Sequence, residues 1–360
     1  MLHAVIMAGG TGRRFWPQSR RRRPKQVLPI GGRRPLIAET LLRLEGLVPR
    51  QRTSIITAAE QVAPLLNALG VEPSPHVIAE PFGRDTAACI GLAAVHVRRA
   101  DPDGVMLVMP ADQVIEPLER FQEVMRAGAE VAADGESLVT FGITPTYAAT
   151  GYGYIHRGAL VTEVGGIPVY DVAQFREKPA EETAEEYLDS GEYYWNSGIF
   201  CWRADTVLGC IERFAPDLHE ALERIAGAIA TPSEETVLRS AYEPLERISI
   251  DYAVMEHAET IRVVEADFAW SDVGSWASVA RLRAEQADEA GNVVVGGAEL
   301  LDCADVLVIG GGDHLVGAVG LEHLIVVHTP DATLVCSKDH AEKVKALVEQ
   351  LADKGRTDYL

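Results

Sequence analysis

The stretch "LHAVIMAGGTGRRFWPQSRRRRPKQVLPI", residues 2–30, decides the fold class and contains the first candidate site. It opens with a short, continuous apolar run, which predicts a buried β-strand. A loop with three glycines follows at once. Glycine lets a backbone turn tightly and present its N–H groups to an anion. The stretch predicts either an anion-binding loop at the end of a strand or a plain glycine-rich turn beside a solvated basic patch.

The positive charge of the chain is concentrated in this stretch. The 360 residues include 33 Lys and Arg and 53 Asp and Glu, for a net charge of −20. Nine of the basic residues and no acidic residue lie in positions 13–34, and the other 24 basic and 53 acidic residues give −29 elsewhere. Such a background repels polyanions, whereas nucleic-acid-binding proteins usually carry a basic face. We therefore expect a small anionic ligand and no nucleic-acid partner.

Apolar strands alternate with helical patterns through the first half of the chain. Helices are predicted at residues 35–47, 58–69, 86–99 and 121–133. This alternation predicts βαβ units in a mostly parallel sheet, where ligands bind at the carboxyl ends of the strands. From residue 148, aromatic-rich strands interleave with predicted helices near 180–190 and 204–229. We expect this segment to form a second wall of the same cleft.

The last part of the chain has a different character. Short apolar runs from residue 292, punctuated by Gly, Asp and His, predict a small stacked β unit. A closing amphipathic helix carries Val344, Leu347, Val348 and Leu351 on one face. We place a domain boundary near residue 288, giving domains at 1–287 and 288–360. Exposed apolar edges of stacked strands favour pairing, so we expect a homodimer.

Cysteine usage and hydropathy indicate the compartment. The five cysteines show no C-x-x-C spacing, which favours reduced thiols in a cytoplasmic protein. No apolar run approaches the roughly 20 residues that a membrane-spanning helix needs, so no membrane partner is expected.

Two common phosphate motifs are absent from the glycine loop. A dinucleotide fingerprint requires a glycine where Phe15 stands, and a P-loop requires a G-K-[ST] triplet that occurs nowhere in the chain. Arg14 and Lys25 can still neutralise a triphosphate, the arginine as a planar fork and the lysine as a compact charge.

The loop resembles the signature of the sugar-nucleotidyltransferases, G-G-x-G-x-R-x-x-P followed by P-K. The matching residues are Gly9, Gly10, Gly12, Arg14, Pro17, Pro24 and Lys25. The Phe-Trp-Pro variant at residues 15–17 is similar to the mannose-1-phosphate guanylyltransferases. The resemblance implies that the loop wraps a nucleoside triphosphate. The nucleotide-binding residues that it implies here are Ala8, Gly9, Gly10, Thr11, Gly12, Arg13, Arg14 and Lys25.

A second stretch, "AEPFGRDTAACIGLAA" at residues 79–94, is similar to the guanylyltransferase segment E-P-x-G-R-N-T, with Asp85 in place of the usual Asn. The resemblance implies that Gly83, Arg84, Asp85 and Thr86 lie beside the base and ribose of the nucleotide. Helix capping by Asp85 and Thr86 is the alternative interpretation.

Two aspartates follow predicted strands: Asp112 in "VMPADQVI" and Asp272 in "FAWSDVGSW". A carboxylate in such a position suits Mg²⁺, although it is also common in turns and helix caps. The resemblance makes Asp112 and Asp272 a metal pair and places Asp112 on the nucleotide as well. Asp272 could instead cap a helix that begins near Gly274.

The sugar side of the site is implied by three further stretches. "FREKP" resembles the second family signature, so Lys178 is expected on the phosphate of the sugar phosphate and Glu177 on sugar hydroxyls. "TGYGYI" implies Tyr152 and Gly153, and "WNSGIF" implies Asn196 and Gly198. The neighbouring aromatic residues are expected in the core; they are Trp195, Phe200 and Trp202.

Together, these stretches imply an α/β fold: a Rossmann-like nucleotidyltransferase with a GT-A-like mixed sheet flanked by helices, plus a left-handed β-helix-like unit. The implied reaction transfers GMP from GTP to α-D-mannose 1-phosphate with Mg²⁺, giving GDP-mannose and pyrophosphate. Arg14, Lys25, Asp112 and Lys178 are the expected catalytic residues. The alternative is a thymidylyl- or uridylyltransferase acting on another hexose 1-phosphate.

Overall fold

A nine-stranded sheet forms the centre of the protein. The computed structural model describes residues 1–70, 76–176 and 178–360. The strands of this sheet are β1 (Leu2–Met7), β2 (Thr53–Ala58), β3 (His76–Glu80), β4 (Val105–Pro110), β6 (Leu138–Ile143), β7 (Tyr154–Val164), β8 (Ile167–Arg176), β9 (Tyr193–Arg203) and β10 (Ile261–Ala266). Their order is β3-β2-β1-β4-β9-β6-β10-β8-β7. A small two-stranded sheet pairs β5 (Val114–Glu116) with β11 (Ala269–Ser271).

Helices cover both faces of the large sheet. They are α1 (Leu36–Leu44), α2 (Val62–Leu69), α3 (Asp85–Ala100), α4 (Leu118–Ala132), α5 (Glu181–Ser190), α6 (Ala204–Phe214), α7 (Pro216–Ala228) and α8 (Glu234–Tyr242). A further helix, α9 (Trp276–Leu282), packs instead in a separate core with the glycine loop and the C-terminal residues. Successive side chains of a strand point to opposite faces, so Ile6 packs in the core beneath α1, α2 and α4. Val5 packs in the opposite core, with α3, α6 and α7. No helix in the described ranges is long and apolar enough to cross a membrane.

The predicted βαβ units are present, but the sheet is mixed. Strand β1 pairs in parallel with β2 and β4, and β2 pairs in parallel with β3. Strand β9 then lies between β4 and β6, antiparallel to both. The aromatic segment therefore contributes to the sheet as well as to the predicted wall of a cleft. Strand β9 lies in the middle of the sheet, where its apolar side chains are buried, and β7 and β8 form a hairpin at the sheet edge. The predicted helix at 204–229 divides into α6 and α7 at Pro216, since proline is tolerated in the first turn of a helix but not inside one.

The C-terminal residues form the predicted stacked β unit. Its strands are β12 (Val293–Val295), β13 (Ala298–Leu301), β14 (Leu307–Ile309), β15 (Val316–Val319), β16 (Leu324–His328) and β17 (Thr333–Ser337), and the helix α10 (Val344–Asp353) closes the chain. Strands β12, β14 and β16 stack in parallel, and β13 stacks on β15. Val344 and Val348 of α10 are buried as expected. Leu351 is partly buried against the same core, and Leu347, the fourth residue of the predicted face, is 37% exposed.

One face of the β unit packs directly against the glycine loop. Phe15 and Trp16 share a core with Trp276 and with buried β-unit side chains such as Ile325 and Val344. The Trp276 ring meets Phe15 edge-on at 5.1 Å, and its Nε1 donates to the carbonyl of Trp16 at 3.0 Å. Trp16 Nε1 in turn donates to the carbonyl of Tyr359 at 2.9 Å. The loop is therefore held both by α9 and by the C-terminal residues.

Candidate active site

The glycine loop lies where β1 ends, and one of its glycines permits a close backbone approach. Gly12 has a φ of 63°, which favours glycine, and a Cβ at this position would lie 2.2 Å from Cβ of Lys25. Gln26 supports the loop from beneath, since its Nε2 donates to the carbonyl of Ala8 at 2.7 Å and to Oε1 of Gln61 at 2.9 Å. The loop and the P-K segment are thus packed as one unit.

Lys25 joins the loop to both predicted metal ligands. Its side chain is buried, and Nζ donates to Oδ2 of Asp112 at 2.8 Å and to the backbone carbonyl of Asp272 at 2.7 Å. A buried ammonium is costly unless it is paired and hydrogen-bonded, and these two oxygens supply that pairing. The three residues meet at one point although they are far apart in the sequence.

The two aspartates are brought together by the pairing of β5 with β11. Val114 lies opposite Ser271 in this antiparallel pair, so the residues flanking them are neighbours. Asp112 is the second residue after β4, and Asp272 directly follows β11. The helix-cap alternative for Asp272 is wrong, because α9 begins at Trp276 with Ser275 at its N-cap position.

Asp272 is the most perturbed acid in this cluster. Burial raises its pKa, and the charge of Asp112 raises it further. Lys25, the Tyr152 hydroxyl and Arg14 act in the opposite direction. Tyr152 Oη donates to Oδ1 of Asp272 at 3.1 Å, so a residue predicted on the sugar side directly contacts a predicted metal ligand.

The donor set around Lys25 fits a hard divalent cation. Within the described residues there is no group of three or more His, Cys, Asp or Glu that could hold a metal by itself. Zinc sites need three or four such ligands, whereas Mg²⁺ binds one or two carboxylates and otherwise takes water and phosphate oxygens. Asp112 and Asp272 offer two carboxylates, beside an ammonium that bonds the carboxylate of Asp112 and the backbone carbonyl of Asp272.

Arg14 lies next to this cluster. A Cβ on Gly274 would be 3.3 Å from Nη1 of Arg14 and 2.9 Å from Oδ2 of Asp272, so both groups flank that glycine. The same Nη1 donates to Oε2 of Glu342 at 2.9 Å. Glu342 was not among the predicted site residues, since no motif in the sequence connects the C-terminal segment to the loop.

The segment beginning at Gly83 leads into α3. Arg84 donates to the carbonyls of Tyr242 and Glu243. Thr86 Oγ1 accepts a hydrogen bond from the backbone N–H of Ile250 at 2.8 Å, and among the described residues no side chain caps the helix. The capping alternative is therefore wrong for Thr86, whose hydroxyl ties α3 to the 248–255 segment. Asp85 has a φ of 67°, and its carboxylate accepts only from the adjacent backbone N–H of Thr86 among the described residues.

One buried acid, at the end of β3, was not predicted from the sequence. Glu80 is 3% exposed, and Tyr242 Oη donates to its Oε1 at 3.3 Å. Burial raises the pKa of Glu80 to about 7. Its Oε2 would be 3.8 Å from a Cβ on Gly9, so it lies beneath the glycine loop. The sequence does carry a signal for it: Glu80 ends a strand, β3, that is separated from β1 only by β2, and it precedes a proline.

The sugar-side segments come from three adjacent strands. Tyr154 of β7 pairs with Trp195 of β9 and with Arg176 of β8, so the strand ends near residues 154, 176 and 195 lie side by side. The backbone N–H of Asn196 donates to the carbonyl of Gly153 at 2.8 Å. Asn196 Nδ2 donates to Oδ1 of Asp251 at 2.8 Å, and its Oδ1 accepts from the backbone N–H of Gly198, whose φ is 68°.

Lys178 enters this neighbourhood two residues after β8, with a φ of 41°. Glu177 lies outside the described residues. The prediction of core aromatic residues is confirmed: Trp195, Phe200 and Trp202 are 3%, 1% and 0% exposed. The structure therefore brings Arg14, Lys25, Asp112, Tyr152 and Asp272 into contact or close proximity, and sets the sugar-side strands beside Tyr152.

Comparison with known proteins identifies two matching families. The nucleotidyl transferase profile matches residues 3–289. The profile of the MannoseP isomerase/GMP-like beta-helix domain matches residues 298–351, in agreement with the stacked strands.

Two proteins that are similar over the whole chain have the same name. The mannose-1-phosphate guanylyltransferase of Klebsiella pneumoniae is 41% identical over 362 residues, covering 100% of this chain and 76% of that protein. The Escherichia coli protein of the same name is also 41% identical, with the same coverage. Among solved structures, the protein described as mannose-1-phosphate geranyltransferase from Thermus thermophilus aligns with a TM-score of 0.85 and 36% identity, over 98% of this chain and 99% of its own.

Proposed function

Because this chain belongs to the nucleotidyl transferase family, and within it to the mannose-1-phosphate guanylyltransferases, we propose that it transfers GMP from GTP to α-D-mannose 1-phosphate. The products are GDP-mannose and pyrophosphate. The observation that carries the chemistry is the Lys25 ammonium, buried beneath the glycine loop and hydrogen-bonded to both Asp112 and Asp272.

The reaction is an in-line displacement at phosphorus. A phosphate oxygen of mannose 1-phosphate attacks the α-phosphorus of GTP, a new P–O bond forms, and the bond to the oxygen that bridges the α- and β-phosphates breaks. Pyrophosphate leaves from the opposite side with that oxygen. The nucleophile is already an anion near neutral pH, so the reaction needs no general base. The protein's task is to hold two mutually repelling anions in line.

The cationic side chains of the site suit that task. Arg14 offers planar, forked donors to the triphosphate, and Lys25 offers a compact charge beside it. The family generally uses a divalent metal. We assign Mg²⁺ to Asp112 and Asp272; when bound, it neutralises phosphate charge and acts as a Lewis acid. Lys178 then meets the phosphate of the incoming sugar phosphate.

The remaining site residues bind the two substrates. The backbone of residues 8–13 holds the triphosphate, and Gly83, Arg84, Asp85 and Thr86 lie beside the base and ribose. The sugar contacts Tyr152, Gly153, Glu177, Asn196 and Gly198. The contact between Tyr152 and Asp272 supports this arrangement, since it joins the sugar side to the proposed metal site.

Pyrophosphate release separates this function from its rival, a thymidylyl- or uridylyltransferase. The assay supplies Mg²⁺, each of the four common NTPs, and either mannose 1-phosphate or glucose 1-phosphate. We expect the GTP and mannose 1-phosphate pair to give the highest kcat/KM. A preference for dTTP or UTP with glucose 1-phosphate would contradict the proposal.

Replacing the central lysine tests the chemistry. Lys25→Met removes the ammonium but keeps an unbranched side chain of similar length. Removing one preorganised charge from a developing transition state costs roughly 10²–10³ in kcat, and we expect a loss of this size. Lys354→Ala, at an exposed lysine near the C-terminus, is the control. Circular dichroism checks that both variants fold, and near-normal turnover by a folded Lys25→Met protein would refute the assignment.

We also propose a domain boundary near residue 288, a homodimer and a cytoplasmic location. The division near residue 288 is supported by the large sheet, whose strands all precede that residue, and by the stacked strands, which all follow it. Exposed apolar side chains on the β unit, Leu301 and Val319 among them, support a homodimer, which sedimentation velocity tests. The cysteines are free thiols, which suits a reducing cytoplasm.

A further inference from the structure

Acidic side chains of the C-terminal unit contact the arginines of the glycine loop. Glu342 Oε2 accepts from Arg14 Nη1 at 2.9 Å, across 328 positions of sequence. Both carboxylate oxygens of Asp331 accept from Arg20 Nη2, at 3.1 and 3.0 Å. A third contact, from Arg13 Nη1 to Glu349 Oε1, is longer at 3.5 Å. All three pairs link parts of the chain that are far apart in sequence, and only Arg14 is proposed to bind phosphate through its side chain.

The Arg14–Glu342 pair differs from the other two by its place beside the proposed metal site. Arg14 Nη1 and Asp272 Oδ2 flank the same glycine, Gly274. Among the described residues, Nη1 is the only donor of Arg14 with a hydrogen-bond partner. The other N–H groups of the guanidinium therefore stay available to a ligand while Nη1 is held.

The backbones that carry the two side chains are both anchored. Phe15, next to Arg14, is 1% exposed, and Ala341, next to Glu342, is 2% exposed; both belong to one apolar core. Ser337 Oγ caps the short helical segment Lys338–Lys343, in which Glu342 lies, by accepting from the backbone N–H of Asp339. The carboxylate therefore stands at a defined position relative to the loop.

From these contacts we propose that Glu342 is a positioning residue for nucleotidyl transfer. By holding Nη1, it orients the Arg14 guanidinium beside Asp272, with its remaining donors ready for the triphosphate. This inference rests on the proposed function, in which Arg14 binds phosphate. It gives the C-terminal unit a part in catalysis that its β-helix likeness does not imply.

The physical reason is preorganisation. The arginine side chain has many rotamers, and that of Arg14 is 42% exposed, so an unheld side chain must be ordered each time the nucleotide binds. The ion pair orders it beforehand, which lowers the cost of binding. Exposed ion pairs contribute little to folding, so removing Glu342 leaves the fold intact.

Kinetics of charge-matched variants test the proposal. We expect Glu342→Ala to lower kcat/KM for GTP by about 3- to 10-fold, because an unoriented Arg14 forfeits part of its binding energy. Glu342→Gln, which keeps an acceptor oxygen, restores part of the loss. Asp331→Asn removes one negative charge from the same unit and changes kcat/KM by less than about twofold, since Asp331 pairs with Arg20, to which no phosphate contact is assigned.

The double variant Arg14→Ala/Glu342→Ala isolates the route of the effect. If Glu342 acts through Arg14, adding Glu342→Ala to Arg14→Ala changes kcat/KM no further. An equal loss in both backgrounds would overturn the proposal. So would a gain in nucleotide affinity on removing Glu342, which would make this carboxylate a competitor of the triphosphate.

The wild-type protein separates failure of this inference from failure of the proposed function. If it favours an NTP other than GTP, the function is wrong, and the same variants are compared with the nucleotide that it uses. Equilibrium binding of that nucleotide to wild type, Glu342→Ala and Arg14→Ala gives the same comparison without turnover.

Discussion

Replacing Glu80 by glutamine should make the protein more stable, and increasingly so as pH rises. Glu80 is 3% exposed at the end of β3, and burial raises its pKa from the ordinary 4.5 to about 7. The hydroxyl of Tyr242 lowers the pKa in part by its hydrogen bond, while the charge of Asp85 raises it. Glutamine keeps the shape of the side chain and an acceptor for Tyr242 but cannot ionise.

The magnitude follows from the pKa. Between pH 4.5 and about 7 the folded state binds the Glu80 proton more tightly than the unfolded state does, so stability falls as pH rises through this window. At about 1.36 kcal/mol for each pKa unit, the rise from 4.5 to about 7 costs the folded state roughly 3 kcal/mol once Glu80 is ionised. About 2 kcal/mol of this cost develops between roughly pH 5.5 and pH 8.5.

Urea denaturation of wild type and Glu80→Gln at those two pH values measures the effect. Other titrating groups contribute equally to both proteins, so the difference in unfolding free energy isolates Glu80. We expect the variant's advantage to grow by about 2 kcal/mol from the lower to the higher pH. Glu299→Gln, at an exposed glutamate of β13, is the control and should give a flat difference. A flat or falling difference for Glu80→Gln would refute the assignment of burial as the cause.

Two further predictions concern the loop and the β unit. Gly12→Ala places a Cβ 2.2 Å from Cβ of Lys25 and therefore displaces the lysine. We expect it to lower kcat for pyrophosphate release by at least about 100-fold in a folded protein. Gly32→Ala, on the exposed part of the same segment, should not lower kcat in this way. His323 lies between Asp305 and Asp339, at 2.6 and 3.1 Å, and these carboxylates raise its pKa. The stabilising effect of His323 is therefore complete at acidic pH and is lost as pH rises through the raised pKa. His323→Asn should lower the urea midpoint more at about pH 5.5 than at about pH 9. An equal loss at both pH values would contradict this prediction.

Much of the fold can be predicted from local patterns in the sequence. The apolar run of β1 and its glycine loop were predictable because strand burial and backbone turning depend on adjacent residues. The central position of β9 was not, since a buried strand has the same apolar character wherever it pairs. The division of α6 from α7 was signalled by Pro216 and was still missed, because the helical pattern continues on both sides of it.

The candidate site, too, was predictable from the sequence only in part. The resemblance nominated Asp112 and Asp272, but the reason they meet is the pairing of β5 with β11, two strands of three residues each that carry almost no sequence signal. Glu342 had no signal at all, since a glutamate in a charged helical segment is most often a solvated surface residue.

By itself, the sequence determined the class of chemistry: a strand, a glycine turn and a concentrated positive charge at its end. These features depend on residues within a few positions of one another. Only the tertiary structure decided which acids that charge meets. Lys25 reaches Asp272 across 247 positions and Arg14 reaches Glu342 across 328, and such contacts arise from strand pairing and from burial of a shared core. Strand pairing and core burial are properties of the assembled fold, because the energy of a contact depends on the groups around it in space and not on the residues beside it in the sequence.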